Sequence, residues 1–291
     1  MTTMSRFSLT CDAIRSVQAQ TFAHWQLWLV DDGSTDESYE WLSEAFSFDS
    51  RVHVSQIAHA GTSLARQFSL EQGEADWVAL LDSDDLWTPT KLEKQVSVAQ
   101  SVDLVLCWFD LIDASGDIRT GERQRGEGTV SPLFTSNMSI PLVRRELIER
   151  VGGLGPQPGL PALSTCEVTE FYLRLLPQSS VRVVREVLVI CREHSGPRAS
   201  DDITTRAGGR EMDALISYHQ QLLESYPEES ARLVAGCGAR YIAAGDWRLG
   251  VRRLTQALKI APRATKVGLT LGYVPFVASQ AWSSLRRGVT I

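Results

Sequence analysis

Residues 76–89 constrain this chain more than any other stretch. An apolar run of strand length, ending at Leu80 and Leu81, drives straight into the carboxylates Asp82, Asp84 and Asp85, with Trp87 and Pro89 close behind. A buried parallel strand reads as a continuous apolar run, and open α/β sheets bind ligands just beyond the carboxyl ends of their strands. Carboxylates spaced Asp-x-Asp at such a place can hold a hard cation, and the cation can hold a diphosphate. The plainer reading of the same residues is an acidic strand-to-helix turn, with Asp85 or Thr88 capping a helix that begins near Pro89.

The stretches around it repeat one unit. Trp25–Val30 reads as a strand, Asp31–Asp36 as an acidic turn, and a helix follows to about Phe46. Residues 51–57 read as a second strand, Thr62–Gln72 as a second helix and 77–81 as the third strand. Strand, acidic turn and helix in alternation argue for an α/β fold with right-handed crossovers. Such a sheet normally opens on a central strand, yet only a handful of residues precede the amphipathic helix expected over 9–20. The expectation is a chain that lacks its first strand, its natural start lying upstream. Val102–Asp110 and Val181–Ile190 supply further strands; 144–151 is a helix stopped by Gly152-Gly153, and 167–176 another. The Gly- and Pro-rich residues 152–165 and the polar residues 113–132 read as loops of the kind that line active sites. From about 211 onward the chain reads as helical, with one pair (Gly245, Gly250, Ala257, Pro262) at tetratricopeptide spacing.

Charge is unevenly distributed. The formal total is −6, but residues 231–291 carry a local balance of +9, which leaves −15 for residues 1–230. An acidic body argues against a nucleic-acid partner. The basic end can meet an anionic membrane surface or stand as a solvated helical face. Five scattered cysteines without a Cys-x-x-Cys pair suit reduced thiols rather than a disulfide framework. With no leader and no long apolar run in the sequence, the expected location is the cytoplasm, with peripheral contact at the inner face of the membrane as a further reading.

Ala13–Val17 with Gln20-Thr21-Phe22, Leu29–Asp36, Ala65-Arg66-Gln67 and Leu81–Asp85 resemble, in order and spacing, the family 2 glycosyltransferases of GT-A fold. The likeness continues through Arg144-Arg145, Val151–Leu154, Leu173-Arg174 and Arg192-x-His194. It covers roughly residues 1–195, and 1–200 is the expected domain, with 211–291 as a helical appendage. The resemblance implies a mixed, mostly parallel sheet flanked by helices. It also implies inverting transfer of a sugar from a nucleotide-diphosphate donor to a glycan or lipid-linked acceptor, in polysaccharide assembly, with Mn²⁺ or Mg²⁺. On this pattern Asp84 and His194 are metal ligands, and Asp82 with Ser83 faces the donor. Thr3, Asp31, Asp32 and Arg66 contact the nucleotide. Trp87 either packs under the acceptor sugar or anchors the next helix.

Two departures from the family pattern stand out. Thr3–Arg6 occupies the turn that normally follows the first strand. The Glu-Asp pair that carries the family's general base is here Glu167-Val168, and valine cannot accept a proton. Glu167 is the expected base, with Glu170 one turn on as the substitute. A positioned base contributes about 10²–10⁴-fold, so the alternative function is a catalytically impaired nucleotide-sugar-binding partner of another transferase. A haloacid-dehalogenase-type phosphatase reading of Asp82-Ser83-Asp84 fails at Leu86, where that motif wants Thr or Val, and explains nothing at Asp31–Asp36.

Overall fold

The computed structural model describes residues 1–113, 115–121, 137–193, 205–263 and 265–266. They divide into two compact units, one of residues 1–156 and 171–196, the other of residues 157–170 and 197 onward.

The first unit holds two sheets. Strands β1 (Thr2–Thr3), β2 (Leu27–Asp31) and β3 (Val52–Gln56) pair in parallel in the order β1-β2-β3. Between them run helices α1 (Phe7–Gln18) and α2 (Ser38–Phe46), and α3 (Thr62–Gln72) follows β3. Helix α1 is amphipathic as its spacing predicts: Ala13, Ile14 and Val17 are buried while Arg15 is exposed. Burying a side chain such as Ile14 contributes about 1.5–3 kcal/mol.

The second sheet contains β4 (Trp77–Ala79), β5 (Asp85–Trp87), β6 (Leu104–Ile112), β7 (Ile118–Thr120), β8 (Leu142–Arg144) and β9 (Val181–Arg192), in the order β4-β8-β6-β9-β5 with β7 beside β6. Only β6 and β9 pair in parallel; the other pairs in this sheet are antiparallel. Parallel pairing is thus concentrated in the first sheet and at β6–β9. Helices α4 (Lys91–Ser97), α5 (Arg145–Arg150) and α6 (Glu167–Leu175) complete the order. Helix α5 stops where expected: Gly152 and Gly153 both have positive φ, and their amides bond back to Glu149 and Ile148. A side chain at Gly153 would also run into Gln67 Oε1, whose oxygen receives the Leu154 amide at 2.8 Å.

Two expectations need correction here. Thr2 and Thr3 form a short strand against Val30 and Asp31, so the turn begins at Met4 rather than Thr3. Alongside them, an apolar cavity of about 650 Å³ separates β2 from β4, lined by Met1, Leu27, Trp28, Trp77 and Leu142 among others. The Met1 nitrogen lies in this setting, donating to Trp28 O at 2.9 Å. The second correction concerns Asp85, which does not cap a helix. It opens strand β5, and the next helix takes Thr90 as its N-cap with no side-chain bond. Three alternating residues are too few to announce a strand.

The second unit is built on helices α7 (Arg206–Tyr218), α8 (Gln220–Glu224), α9 (Pro227–Ala243) and α10 (Trp247–Ile260). The α9–α10 pair turns at Gly245, whose φ is +83°, and Asp246 caps α10 by accepting the Leu249 amide. Gly238 and Gly250 let the two backbones approach closely: a Cβ on either would lie 2.9 Å from the other's carbonyl oxygen. Residues 267–287, with their apolar stretch and Arg286-Arg287, lie outside the described residues. No described helix is long and apolar enough to cross a membrane.

Candidate active site

Strand β1 draws two acidic turns together. The Asp32 amide donates to Thr3 O at 2.9 Å, and Thr2 forms a parallel bridge with Asp82. The turn after β1 is tied to the turn after β2 as well, through a bond from the Ser5 amide to Ser34 Oγ at 2.7 Å. Ser5 is the only non-glycine residue with positive φ among the described residues, a strained backbone at the join.

In the first turn the carboxylates are held by donors from the turn itself, from β3 and from the entry to α3. Asp31 is fully buried; its Oδ1 accepts from the Ser34 amide at 2.8 Å and from Gln56 Nε2 at 3.1 Å, and its Oδ2 from the Ser34 hydroxyl. Asp32 accepts the amides of Ala60 at 2.7 Å and Gly61 at 3.0 Å, at the entry to α3, and lies 3.1 Å from His59 Nδ1. Gly33 must be glycine, since its φ is +76° and a Cβ would lie 2.7 Å from the His59 amide nitrogen. Thr3 points its hydroxyl at Thr10 Oγ1, 2.7 Å away. Because Thr10 donates to Arg6 O, the proton in that contact comes from Thr3.

The second turn meets guanidinium groups instead. Arg66, on α3, donates to Asp82 Oδ1 at 2.8 Å, and Arg6 to Asp84 Oδ2 at 3.0 Å. Arg192, at the end of β9, donates to the Asp84 carbonyl at 2.6 Å and to Asp12 at 3.0 Å, lacing the turn to α1. Ser83 is buried in the turn. Beneath it, Asp85 Oδ2 accepts from Ser139 Oγ at 2.6 Å and Asn137 Nδ2 at 3.1 Å, while Ser139 Oγ accepts the Asp82 amide at 3.0 Å. One serine hydroxyl therefore joins the first and last residues of the acidic turn. Burial, then repulsion from Asp82 and Asp84, pushes the Asp85 carboxyl up to about 7.

Thr3, Asp31, Asp32, Arg66, Asp82, Ser83 and Asp84 are thus gathered by the first unit. Among the described residues no three His, Cys, Asp or Glu side chains converge as a metal cage. A Mg²⁺ or Mn²⁺ bound with a diphosphate uses one or two carboxylates plus phosphate oxygens and water, and Asp82 with Asp84 fits that donor set. His194 lies outside the described residues. Trp87 is a core anchor: it is buried, its Nε1 donates to Ser139 O at 3.0 Å, and the Lys91 ammonium sits 4.1 Å over its ring. Glu167 stands in the first turn of α6. Glu170, one turn on, is buried in the second unit with His219 Nε2 at 3.1 Å from its carboxylate. Asn137, Ser139 and Arg6 carry no role in the sequence reading. The one available signal was Ser139, a polar residue interrupting an apolar run.

A family model described as Glycosyl transferase family 2 matches residues 1–148. The chain belongs to that family. TuaG of Bacillus subtilis (strain 168), a glycosyltransferase named for teichuronic acid biosynthesis, is 41% identical over 86 residues, 29% of this chain and 34% of TuaG. The UDP-Glc:alpha-D-GlcNAc-diphosphoundecaprenol beta-1,3-glucosyltransferase WfgD of Escherichia coli is 40% identical over 87 residues, 30% of this chain and 34% of WfgD. The chain spans about a third of the length of these curated relatives. Among solved structures, S. aureus TarS 1–349 in complex with UDP-GlcNAc superposes with a TM-score of 0.70 at 15% identity, covering 99% of this chain and 90% of that one. The mannosyltransferase PcManGT from Pyrobaculum calidifontis, in complex with GDP-Man and Mn²⁺, gives 0.59 at 15% identity, with 97% and 82% covered. At that identity the superpositions establish the family 2 member's fold.

Proposed function

We propose that this family 2 member is an inverting, metal-dependent glycosyltransferase that moves a sugar from a nucleotide-diphosphate donor to a glycan or lipid-linked acceptor. The observation that carries the reading is the turn at Asp82–Asp84. It holds two carboxylates two residues apart, each paired with an arginine side chain. Asp84 and Asp82 would hold Mn²⁺ or Mg²⁺, with His194 as a further ligand. The chemistry such an ion supplies is neutralisation of charge on the departing nucleoside diphosphate. Support for a nucleotide-sugar donor comes from the ligands named for TarS and PcManGT, and for a lipid-linked acceptor from the name of WfgD.

The chain's own groups supply the rest. Asp31 and Asp32 hold the first turn rigid and offer their remaining lone pairs to base and ribose, with Thr3 beside them. Arg66 and Arg6, which pair with Asp82 and Asp84 here, would bind the donor's diphosphate oxygens, a ligand that guanidinium groups hold well. Ser83 faces the donor from within the turn. Glu167 takes the proton of the acceptor hydroxyl as that oxygen attacks the anomeric carbon, so a single displacement inverts the configuration. No transmembrane segment is needed for this, and a cytoplasmic or peripheral location agrees with it.

The test is melting temperature with Mn²⁺ and a panel of UDP- and GDP-sugars, followed by assay of released nucleotide. The expected result is a donor-dependent rise that Asp84→Ala abolishes, and nucleotide release that Glu167→Gln slows. A rise without release, indifferent to Glu167→Gln, would favour the catalytically impaired donor-binding partner that Val168 suggests. No rise with any donor would refute both.

A further inference from the structure

The outward face of α10 carries positive charge alone. From Trp247 to Lys266 the sequence has Arg248, Arg252, Arg253, Lys259, Arg263 and Lys266 and not one acid. The helix turns Gly250 and Ala257 inward, and Leu254 packs into the small cluster around Ala231 and Val234. At about 100° per residue, Arg248, Arg252, Thr255 and Lys259 fall on the opposite side, and all four are exposed. Arg253 is neutralised by Asp213 at 2.7 Å. Arg248, Arg252 and Lys259 form no ion pair among the described residues. Beside this stripe lie Val251 and Leu258, 49% and 38% exposed.

A solvated helix face ordinarily mixes signs, with acids and bases three or four residues apart. Here the signs are not mixed, and aliphatic side chains border the cations. Basic residues beside exposed apolar ones are what an interfacial helix presents to anionic lipid, where headgroups meet the charges and the acyl boundary meets the aliphatics. A soluble polyanion would use the charges and leave Val251 and Leu258 without a partner. The acidity of residues 1–230 gives the rest of the chain no general attraction to polyanions.

We propose that the exposed face of α10, through Arg248, Arg252 and Lys259 with Val251 and Leu258, docks on an anionic lipid bilayer. This goes beyond the proposed reaction and is read without it, since vesicle binding requires neither donor nor metal.

The experiment is co-sedimentation of the full chain with phosphatidylcholine vesicles and with vesicles containing phosphatidylglycerol as well. Wild type should bind the second and not the first. Each basic residue near an anionic surface is worth roughly fivefold in partitioning. Arg248→Glu/Arg252→Glu/Lys259→Glu should therefore weaken binding by about a hundredfold or more, while Arg119→Glu/Arg150→Glu/Arg185→Glu, an equal change of charge elsewhere, leaves it within about twofold. Val251→Ser/Leu258→Ser should weaken it severalfold, and thermal melts of each variant check that it folds. Equal binding to both vesicle types, or none to either, would overturn the proposal. So would retention of binding by the α10 triple variant, which places the contact elsewhere. Indifference to the Val251/Leu258 change, with double-stranded DNA competing as well as vesicles do, would assign the face to soluble polyanions and overturn it too.

Discussion

Two acidic turns of similar sequence behave differently in this molecule. Each follows a short strand, β2 or β4, and each sets two carboxylates near the carboxyl end of a sheet. At Asp31–Asp32 the partners are chiefly backbone amides, from Ser34 in the turn itself and from Ala60 and Gly61 at the entry to α3, with a serine hydroxyl, a glutamine and His59 beside them. At Asp82–Asp84 they are the ends of two arginine side chains arriving from α3 and from the turn before α1. Backbone amides can leave a carboxylate only if the fold moves, whereas a guanidinium can swing away about its own rotamers. The first turn is therefore part of the scaffold, and on the proposed function the second would exchange its arginine side chains for a metal ion.

Substitutions at the two turns should separate these roles. Asp84→Asn should lower transfer by about 10²–10³, the scale of losing one electrostatic contact to a charged transition state. Its unfolding free energy should move by no more than about 1 kcal/mol, because the pair it breaks is partly exposed. Asp31→Ala should do the reverse in kind. It removes a fully buried acceptor from the half-buried Ser34 and from Gln56 and should destabilise the protein by about 1–3 kcal/mol in urea titration. A protein in which Asp84→Asn unfolds more readily than Asp31→Ala would break the contrast.

The packing beneath the second turn contains a cation with no carboxylate at all. Lys91 is fully buried, donates to Gln95 Oε1 at 2.7 Å, and burial lowers its pKa to about 8. The native value lies below the ordinary one, so the unfolded chain binds the extra proton, and this group adds stability as pH rises from about 8 toward 10.5. Lys91→Met should stabilise the protein at pH 7 by about 1–3 kcal/mol. That margin over wild type should narrow as the pH approaches 10.5, the ordinary value. A margin that widens with pH would mean that the native pKa of Lys91 lies above the ordinary value, its charge being stabilised rather than penalised by the fold. Ser139→Ala, which removes a donor to Asp85 and an acceptor for the Asp82 amide, should cost about 1–2 kcal/mol. It should also weaken Mn²⁺-dependent donor binding, with Ser139→Thr restoring both in part.

How far the sequence disclosed this depends on the kind of contact. The helix over α1, the strand-turn-helix rhythm through α3 and the stop at Gly152-Gly153 are written in local spacing, because each is decided by residues within one or two turns of one another. The acidic turns are legible for the same reason. Their partners are not: Arg6 and Asp84 lie 78 positions apart, and Ser139 reaches Asp85 across 54. Strand β5 was hidden because Asp85 looks like a cap, and only its pairing with Cys191 through Val189 makes it a strand. Trp87 could be read as a sugar platform or a core anchor until the bond to Ser139 O was known. The antiparallel pairs of the second sheet likewise depend on strands far apart in sequence, so alternation alone suggested more parallel pairing than that sheet contains.

The smallest effect tests the contrast most directly. If Arg6 occupies Asp84 in competition with a divalent ion, then removing its charge while keeping its stem should favour the ion. Arg6→Met should leave the unfolding free energy within about 1 kcal/mol of wild type, since the pair is partly solvent-exposed. Without nucleotide, it should tighten Mn²⁺ binding by about two- to fivefold, the same interaction read as an affinity. Mn²⁺ titration followed by electron paramagnetic resonance measures this, since free and bound ion differ in signal. With a nucleoside diphosphate present the advantage should shrink or reverse, because the guanidinium then has phosphate oxygens to turn to. A loss of Mn²⁺ affinity in the nucleotide-free variant would show that Arg6 positions Asp84 instead of competing for it, and the second turn would then be as much a part of the scaffold as the first.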